Sequence, residues 1–428
     1  MDNIWLSIII PVYNREEKIP AFLDSILSAS FDVLRNIEII IVDDDSADES
    51  YSVCEAFAQK HDIVSCIRLD ANQGPGAARN RGMDAARGNF LFFLDSDDLI
   101  ATENLGKTIQ LLKNCPDTDI FLFHATLEGA GSPRVRKHSS AAAVEGFIPF
   151  EEFISGAPAI PMTWQCVIKR EFLITNNLRF IHIYYCEDTP FTASSLFYAN
   201  ILYLASYTLC RHMLGVADSL IFNAFSNKKR LFDDYACALS AFERLYRASN
   251  DSGWHNTLLI QLYEVLFFLI GALSPSELQE LISERNSIQK ADFSELSYNI
   301  YSQLGLKRMI STLLISILDK IDVLCDGGNR AFFLCPACPR SIMFSETLSQ
   351  AGVGIDGFLD NSPRDDNPAA RLCRDNGYQV LRPEDILAEK PVVFIISNSN
   401  VVRELRAQFS AMGFLEGKDF ISSLSSVL

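Results

Sequence analysis

Short apolar runs alternate with helix-like segments over the first 130 residues of the chain. The runs are nearly continuous and rich in Ile, Val, Leu and Phe, which is typical of strands buried on both faces of a parallel sheet. In the segments between them, apolar residues recur at helical spacing. This pattern predicts strands at residues 6–12, 37–42, 64–69, 90–94 and 120–124, and helices at 19–28, 49–60, 77–87 and 103–113. Such alternation predicts an α/β domain with right-handed crossovers.

The hydrophobic pattern changes twice in the rest of the chain. Residues 130–160 combine glycine, proline, a small basic cluster and an alanine run, and we predict a mobile loop there, after which residues 162–212 complete the first domain. From 222 to 325 the apolar residues form stripes at helical spacing, which predicts helices that pack on one another. Strand–helix alternation then returns. The sequence thus predicts an α/β domain over residues 1–220, a helical middle region over 221–325 and a small Rossmann-like α/β domain over 326–428.

Composition and charge exclude several classes of protein. An apolar fraction of 48% excludes a mainly disordered chain. The 37 basic and 54 acidic residues give a formal net charge of −17, which argues against a nucleic-acid groove or a broadly basic membrane-binding face. The 11 cysteines are scattered, as is typical of reduced thiols, and no basic-then-apolar leader follows Met1. We therefore expect a cytoplasmic protein.

Polar and acidic residues follow the predicted strands at their carboxyl ends, where the functional groups of an α/β sheet gather. Strands one, two and four lead into residues 11–16, 43–46 and 95–98. Asp95 and Asp97 project from the same face of an extended segment, and they repel each other unless a cation lies between them. Oxygen ligands of this kind suit Mg²⁺ or Mn²⁺. A lone D-x-D can also simply cap a helix, but the neighbouring acidic strand ends favour the metal.

Two further motifs have both a functional and a structural interpretation. The glycine-rich segment 72–80 follows the third strand and opens a helix, whose N-terminus together with Arg79 would suit a phosphate. The alternative is a glycine-rich start of a helix with a solvated Arg79. Glu187 and Asp188 precede another predicted helix, where Asp188 could serve as a base or merely as an N-cap.

Taken together, these motifs resemble family 2 of the inverting nucleotide-sugar glycosyltransferases, which have the GT-A fold. The resemblance covers residues 7–219. The motifs that carry it are P-x-Y-N at 11–14, V-D-D-x-S-x-D at 42–48, N-x-G-x-x-x-A-R-N-x-G at 72–82, D-S-D-D at 95–98, W-x-x-x-x-K-R-E-F at 164–172 and E-D-x-x-F at 187–191. One departure is Asp45, where the family usually has a small residue, and this leaves the base preference open.

The resemblance implies a donor site. Asp44 would hydrogen-bond the base, Arg79 would approach the base and diphosphate, and Asp95 would hold the ribose. Asp97 would bind Mn²⁺ or Mg²⁺, with His212 as a further metal or diphosphate contact. The implied nucleotide-sugar-binding set is Pro11, Tyr13, Glu16, Asp43, Asp44, Arg79, Asp95, Ser96 and Asp97.

The resemblance also implies the chemistry. Asp188 would be the catalytic base with Glu187 in support, and Trp164 would lie near the acceptor. The expected reaction is inverting transfer of a hexosyl or acetylhexosaminyl group from a nucleotide-sugar, with UDP-sugars first, to a hydroxyl of a glycan or lipid-linked glycan in bacterial surface-polysaccharide synthesis. No nucleic-acid partner is expected, and any peripheral association with the inner face of the cell membrane would come from the acceptor or a protein partner.

Residues 326–428 resemble the small Rossmann-like domains appended to some bacterial capsule and surface-polysaccharide transferases. Asp360 follows a predicted strand where a ribose-binding acid could lie, but the turn at 335–340 lacks a glycine fingerprint and contains two prolines, which argues against a dinucleotide. Cys335 and Cys338 have no second pair for a zinc site. We expect this domain to serve packing, homo-oligomerisation or partner docking.

Two other classes of protein stay open at this point. A sugar nucleotidyltransferase would need a glycine-rich phosphate loop after the first strand, and residues 11–16 contain no glycine. A non-catalytic nucleotide-sugar-binding protein would have no need for intact Asp95, Asp97 and Asp188. Release of a nucleoside diphosphate from a panel of donors would separate that class from an enzyme.

Overall fold

A computed structural model describes residues 4–128, 134–136, 145–150, 152–153 and 160–213, with parts of the segments 230–254, 318–325 and 330–421. The chain forms two compact units, Met1–Leu258 and Leu259–Leu428. Most of the predicted helical middle region lies outside the described residues, as do residues 137–144 of the predicted loop. The boundaries at 220 and 325 therefore stay predictions.

The described part of the first unit contains one mixed sheet of ten strands. Its order is β3-β2-β1-β4-β9-β6-β10-β5, with β7 beside β6 and β8 beside β10. Strands β1 to β4 run parallel to one another, whereas β9 is antiparallel to β4 and β6. The strands are β1 (Leu6–Val12), β2 (Ile37–Asp43), β3 (Val64–Arg68), β4 (Phe90–Phe93), β5 (Leu99–Ile100), β6 (Ile120–Glu128), β7 (Arg134–Arg136), β8 (Gly146–Ile148), β9 (Cys166–Lys169) and β10 (Leu202–Met213).

Helices accompany this sheet, and all of those described in the first unit except the four-residue Phe31–Leu34 helix contain buried residues. In the first helix the buried residues are Ile19, Phe22, Leu23 and Ile26, which share one face at the spacing i, i+3, i+4 and i+7. Each such side chain contributes about 1.5–3 kcal/mol when it is fully buried. The helices are α1 (Ile19–Leu27), α2 (Phe31–Leu34), α3 (Ser50–Lys60), α4 (Pro75–Ala85), α5 (Thr102–Asn114), α6 (Arg170–Thr175) and α7 (Asp188–Tyr198).

The second unit contains a smaller parallel sheet, described by itself. Its order is β13-β12-β11-β14-β15, and the helices are α8 (Pro368–Asp375) and α9 (Ser399–Ala411). The strands are β11 (Phe332–Cys335), β12 (Gly357–Leu359), β13 (Val380–Leu381), β14 (Val392–Ile395) and β15 (Phe420–Ile421). A doubly wound order of this kind is a Rossmann-like arrangement, so the predicted α/β class is confirmed in both units.

The predicted mobile loop at 130–160 contains regular structure in its described parts. Strand β7 pairs with β6 and strand β8 pairs with β10, so both extend the large sheet at its margins. Their three residues each are too short for a hydrophobic period to show in the sequence. Within the described part of the chain, no helix has the length and apolar character needed to span a membrane.

Candidate active site

The carboxyl ends of β1, β2 and β4 are neighbours at one edge of the large sheet, because β1 pairs in parallel with both other strands. The loops that follow β1 and β2 are tied together: the backbone N–H of Asn14 donates to Ser46 Oγ at 3.0 Å, and that of Ala47 donates to Asn14 Oδ1 at 2.9 Å. Asn14 and Asp45 have φ angles of 52° and 59°, a region that Asn and Asp enter more readily than most residues. The polar strand ends therefore meet at one place, as predicted.

Three residues of the predicted nucleotide-sugar-binding set lie at the end of β1 and in the loop after it. Pro11 is half-buried near the end of the strand, and the Tyr13 side chain is 41% exposed. A carboxylate oxygen of Glu16 accepts the backbone N–H of Glu49 at 2.8 Å, which ties this loop to the start of α3. Tyr13 thus offers an accessible aromatic face beside the site, whereas Glu16 also holds the loop in place.

The carboxylates of Asp43 and Asp44, at the end of β2, both accept hydrogen bonds from backbone N–H groups. Asp43 is fully buried, and its Oδ1 accepts the N–H of Ser46 at 3.1 Å. The two oxygens of Asp44 accept the N–H groups of Gln73 and Gly74, each at 2.8 Å, directly before α4. Burial raises the pKa of Asp44, while these two amide bonds oppose that rise. The helix N-terminus that was predicted to suit a phosphate therefore holds the carboxylate of Asp44.

The glycines of the same segment allow close packing against the loop before α7. Gly74 has a φ angle of +89°, which favours glycine. A Cβ atom on Gly76 would lie 2.6 Å from the backbone oxygen of Ile181 and 3.2 Å from Cγ of Glu187. Glycine at position 76 thus brings α4 against the loop that carries Glu187. The phosphate role of this segment stays a prediction, whereas the alternative with a solvated Arg79 is wrong, because that side chain is only 5% exposed.

We expect Gly76→Ala to lower the free energy of unfolding by about 1–3 kcal/mol, because a backbone atom must move to admit the new methyl group. Gly106→Ala is the matched control within a helix. Its nearest neighbour would be Cγ2 of Val33 at 3.5 Å, an ordinary contact, so we expect a neutral effect or a gain of up to about 1 kcal/mol. Urea unfolding monitored by tryptophan fluorescence measures both, and equal stability of the two variants would contradict the close approach.

Arg79 joins two of the predicted site motifs. Its Nη1 donates to Glu187 Oε1 and its Nη2 donates to Asp95 Oδ1, both at 2.5 Å. The side chain is only 5% exposed. Burial alone would lower the pKa of Arg79, but the carboxylates of Asp95, Glu187 and Asp188 raise it above its ordinary value, so the guanidinium stays charged. Arg79 thus contacts acids of two motifs, and its predicted approach to the base and diphosphate stays a prediction.

Glu187 and Asp188 lie at the start of α7. Burial raises the pKa of Glu187 to about 7, although Arg79 opposes that rise. Asp188 is half-buried, and its Oδ1 accepts the backbone N–H of Thr189 at 2.8 Å. Burial and the charge of Asp95 also raise the pKa of Asp188, which makes it a stronger base than a solvated aspartate. Asp188 thus contacts the helix start and also has the properties of a base.

The D-S-D-D motif follows β4, and a second arginine, Arg15, lies beside it. Arg15 Nη2 lies 3.8 Å from Asp97 Oδ2, and Ser96 is buried. Burial and the charge of Asp95 raise the pKa of Asp97, while Arg15 opposes that rise. Among the described residues no three His, Cys, Asp or Glu side chains are grouped to hold a metal by themselves. A nucleotide-bound Mg²⁺ or Mn²⁺ needs only one or two carboxylates beside phosphate oxygens. The Asp97 carboxylate, which lies near the Arg15 guanidinium, can be one of them.

His212 and Trp164 lie next to each other beside this motif. Their rings stack with centroids 4.7 Å apart and an interplanar angle of 11°. Trp164 is only 3% exposed and packs in the main core, and its predicted position near the acceptor stays a prediction. His212 Nδ1 lies 2.8 Å from Asp98 Oδ1. Burial alone would lower the pKa of His212, but the hydrogen bond to Asp98 and the nearby acids raise it.

The sequence reasoning gave no role to three residues that the structure places at this site. Arg15 directly follows the P-x-Y-N motif, and Asp98 ends the D-S-D-D motif, so both lie in or beside a matched motif. Tyr184 carried none. Its hydroxyl donates to the Asn72 backbone oxygen at 2.6 Å, and Arg230 Cζ lies 3.5 Å from its ring centroid. Tyr184 thus links the glycine segment to a residue far along the chain.

The fold and the site place acidic and basic side chains together at the carboxyl edge of an α/β sheet, where such sheets bind their ligands. Residues 7–166 match the family model "Glycosyl transferase family 2". These residues are therefore similar to that family, and the protein is an enzyme, a nucleotide-sugar-dependent glycosyltransferase.

Relatives with curated names agree with that class. The chain is 28% identical over 263 residues to the putative glycosyltransferase EpsH of Bacillus subtilis, which covers 59% of this chain and 74% of that protein. It is 32% identical over 193 residues to a poly(ribitol-phosphate) beta-glucosyltransferase of Bacillus spizizenii, which covers 44% of this chain but only 29% of the relative.

A solved structure supports the fold. The crystal structure of S. aureus TarS 1–349 in complex with UDP matches 75% of this chain and 92% of that chain, with a TM-score of 0.52 and 16% identity. The GT-A fold predicted from the sequence is thereby confirmed. At this identity the likeness concerns the fold alone.

Proposed function

We propose that this enzyme transfers a hexosyl or acetylhexosaminyl group with inversion from a UDP-sugar to a hydroxyl of a glycan or lipid-linked glycan in bacterial surface-polysaccharide synthesis. The observation that carries the proposal is the bridge from Asp95 through Arg79 to Glu187. This bridge brings the predicted ribose-binding acid within reach of the residues that flank the predicted base. The name of the ribitol-phosphate relative and the UDP in TarS support the acceptor class and the donor nucleotide.

Asp188 performs the central proton transfer in this proposal. It removes the proton of the acceptor hydroxyl while that oxygen attacks the anomeric carbon from the face opposite the diphosphate. The bond from that carbon to the diphosphate oxygen breaks, and the nucleoside diphosphate leaves. Through its two hydrogen bonds, Arg79 holds the side chains of Glu187 and Asp95 in fixed positions. The Oδ1–Thr189 hydrogen bond fixes the orientation of the Asp188 carboxylate, so the base is positioned before the acceptor arrives.

A divalent cation completes the donor site. Asp97 would hold Mn²⁺ or Mg²⁺, with His212 as a second contact. When bound, the ion neutralises charge that develops on the leaving diphosphate. The local acidity supports this need: Asp95, Asp97 and Asp98 lie within four residues of one another and would repel a diphosphate in the absence of a cation.

Each predicted domain of the chain has its own role in this proposal. Residues 1–220 form the catalytic domain, 221–325 contribute to the choice of acceptor, and 326–428 act in packing, homo-oligomerisation or partner docking. The protein is cytoplasmic, and its acceptor or a protein partner brings it to the inner face of the membrane. The net charge of −17 supports such an indirect association.

A donor panel tests the proposal. UDP-hexoses, UDP-acetylhexosamines and GDP-mannose are each added at a large excess, and thermal unfolding and nucleoside diphosphate release are measured. A ligand at about 100 times its Kd adds about 2.7 kcal/mol of stability, so the UDP-sugar that is the donor should raise Tm by several degrees. If every UDP-sugar failed both to raise Tm and to release a nucleoside diphosphate, that result would contradict the proposed donor.

We expect EDTA to abolish transfer and Mn²⁺ or Mg²⁺ to restore it, because the cation that Asp97 would hold neutralises the charge of the leaving diphosphate. The measurement is UDP release at increasing metal concentration. The control is Asp117→Asn, since Asp117 is 92% exposed and its metal requirement should equal that of the wild type, whereas Asp97→Asn should require far more metal. Full activity in EDTA would remove the metal from the proposal.

A further inference from the structure

Asp98 is the one acid of the D-S-D-D motif to which neither the resemblance nor the mechanism assigns a role. Its side chain has no exposed surface. Its Oδ1 lies 2.8 Å from His212 Nδ1 and accepts the backbone N–H of Met213 at 3.1 Å, and its Oδ2 accepts the thiol of Cys210 at 3.6 Å. All three partners lie at the end of β10, so the carboxylate connects the motif after β4 to that strand.

These contacts determine the orientation of the His212 ring. Trp164 stacks on its face, and Asp98 holds Nδ1 in the ring plane. Asp98 Oδ1 already accepts the backbone N–H of Met213, so it is a hydrogen-bond acceptor. His212 Nδ1 must therefore carry a proton and donate to it. Nε2 is then the ring nitrogen that remains for a ligand. With neutral imidazole this is a lone pair, as metal coordination requires.

The surroundings of the ring support a cation rather than an anion as that ligand. Asp95 and Asp97 both act on His212 through their charges, and the imidazole is 28% exposed, so part of the ring is accessible to a ligand. Metal-binding histidines commonly donate their second ring nitrogen to a carboxylate, which fixes tautomer and orientation. Asp98, His212 and Asp97 have the chemistry of such a set.

We propose that Asp98 is a positioning residue that fixes His212 in the Nδ1–H tautomer and so presents Nε2 to the divalent cation that Asp97 binds. The inference rests on the proposed function, because the cation is part of it. It concerns the affinity for the cation. It does not assign Asp98 a contact with the donor or the acceptor.

The test measures the Kd of Mn²⁺ in the presence of UDP by electron paramagnetic resonance, which needs no turnover. Removal of a carboxylate that orients a ligand typically costs 10–100-fold in metal affinity, so we expect a loss of about that size in Asp98→Leu. Asp98→Asn retains an acceptor oxygen at the Oδ1 position and should recover most of the affinity. A general charge effect would instead affect both variants alike.

A double variant separates positioning from damage to the fold. In a His212→Ala background Asp98→Leu should cause no further loss of Mn²⁺ affinity, since the residue acts through His212. A further loss of equal size in that background, or wild-type affinity in Asp98→Leu, would overturn the inference. If Asp97→Asn also leaves Mn²⁺ binding unchanged, the metal part of the proposed function fails with it. A defect in Asp97→Asn and His212→Ala but not in Asp98→Leu overturns this inference alone.

Discussion

Asp188→Asn is expected to retain nucleotide binding and to lose turnover by about 10²–10⁴-fold, the usual contribution of a general base. The substitution is close to isosteric, and an amide oxygen can still accept the Thr189 N–H that Oδ1 now accepts. The start of α7 should therefore keep its structure, and only the basicity is lost. The measurement is kcat with the donor that protects the wild type, together with the Kd of UDP.

The pH profile of the same variant adds a second readout. Burial raises the pKa of Asp188, so the acid-side fall in kcat/KM should lie above the ordinary aspartate value of about 3.9. As pH falls through that raised pKa the base becomes protonated and the rate falls. The residual rate of Asp188→Asn should lack this dependence.

The control for this variant is Asp32→Asn, at an exposed position in the first turn of α2. It makes the same change at another helix start and should leave kcat and its pH dependence unaltered. Near-normal turnover in Asp188→Asn would exclude Asp188 as the base, and a lost affinity for UDP would point to a collapsed site instead.

Arg79→Met is expected to lower the free energy of unfolding of the first unit by about 3–5 kcal/mol, because it leaves two carboxylates without their cation. Glu187 is 8% and Asp95 is 33% exposed, so Glu187 bears most of the cost. Lysine cannot substitute, since one ammonium does not present two separate donors in a fixed plane. Activity should fall with stability because both partners belong to the site.

The chain offers a direct way to measure this. All three tryptophans, Trp5, Trp164 and Trp254, belong to the unit Met1–Leu258, so their fluorescence reports on that unit during urea unfolding. Arg179→Met is the control, because the Arg179–Asp84 pair is 44% and 50% exposed and should cost less than about 1 kcal/mol. Equal midpoints for the two variants would mean that the Arg79 bridge does not stabilise the fold.

The sheet could be predicted wherever a strand is a continuous apolar run. Strand β1 was predicted at its observed bounds, and β2, β3 and β4 within one residue, because each is a short run dominated by apolar residues. Strands β7 and β8 could not be predicted, since three residues at a sheet margin carry no period. The acidic strand ends followed from the strand predictions.

The contacts within the site were harder to predict than its membership. Residue spacing showed that Arg79, Asp95 and Glu187 belong to matched motifs, but the Arg79–Glu187 hydrogen bond spans 108 positions, and no local pattern reports on such a pair. Trp164 was placed near the acceptor by the resemblance alone, and its burial in the core could not be predicted from its spacing. The assigned catalytic and binding roles stay predictions until the variants above are measured.

The Arg79 bridge also limits how this enzyme can be recombined with its relatives. Its two partners come from opposite halves of the first unit, so a chimaera joined anywhere between Asp95 and Glu187 would take the guanidinium from one parent and one of its acids from the other. Such a chimaera would remain sound only if both parents carry an acid at the Glu187 position. Exchange of donor or acceptor specificity by domain shuffling should therefore succeed with crossovers outside residues 79–187, and fail inside them when the parents differ at that acid.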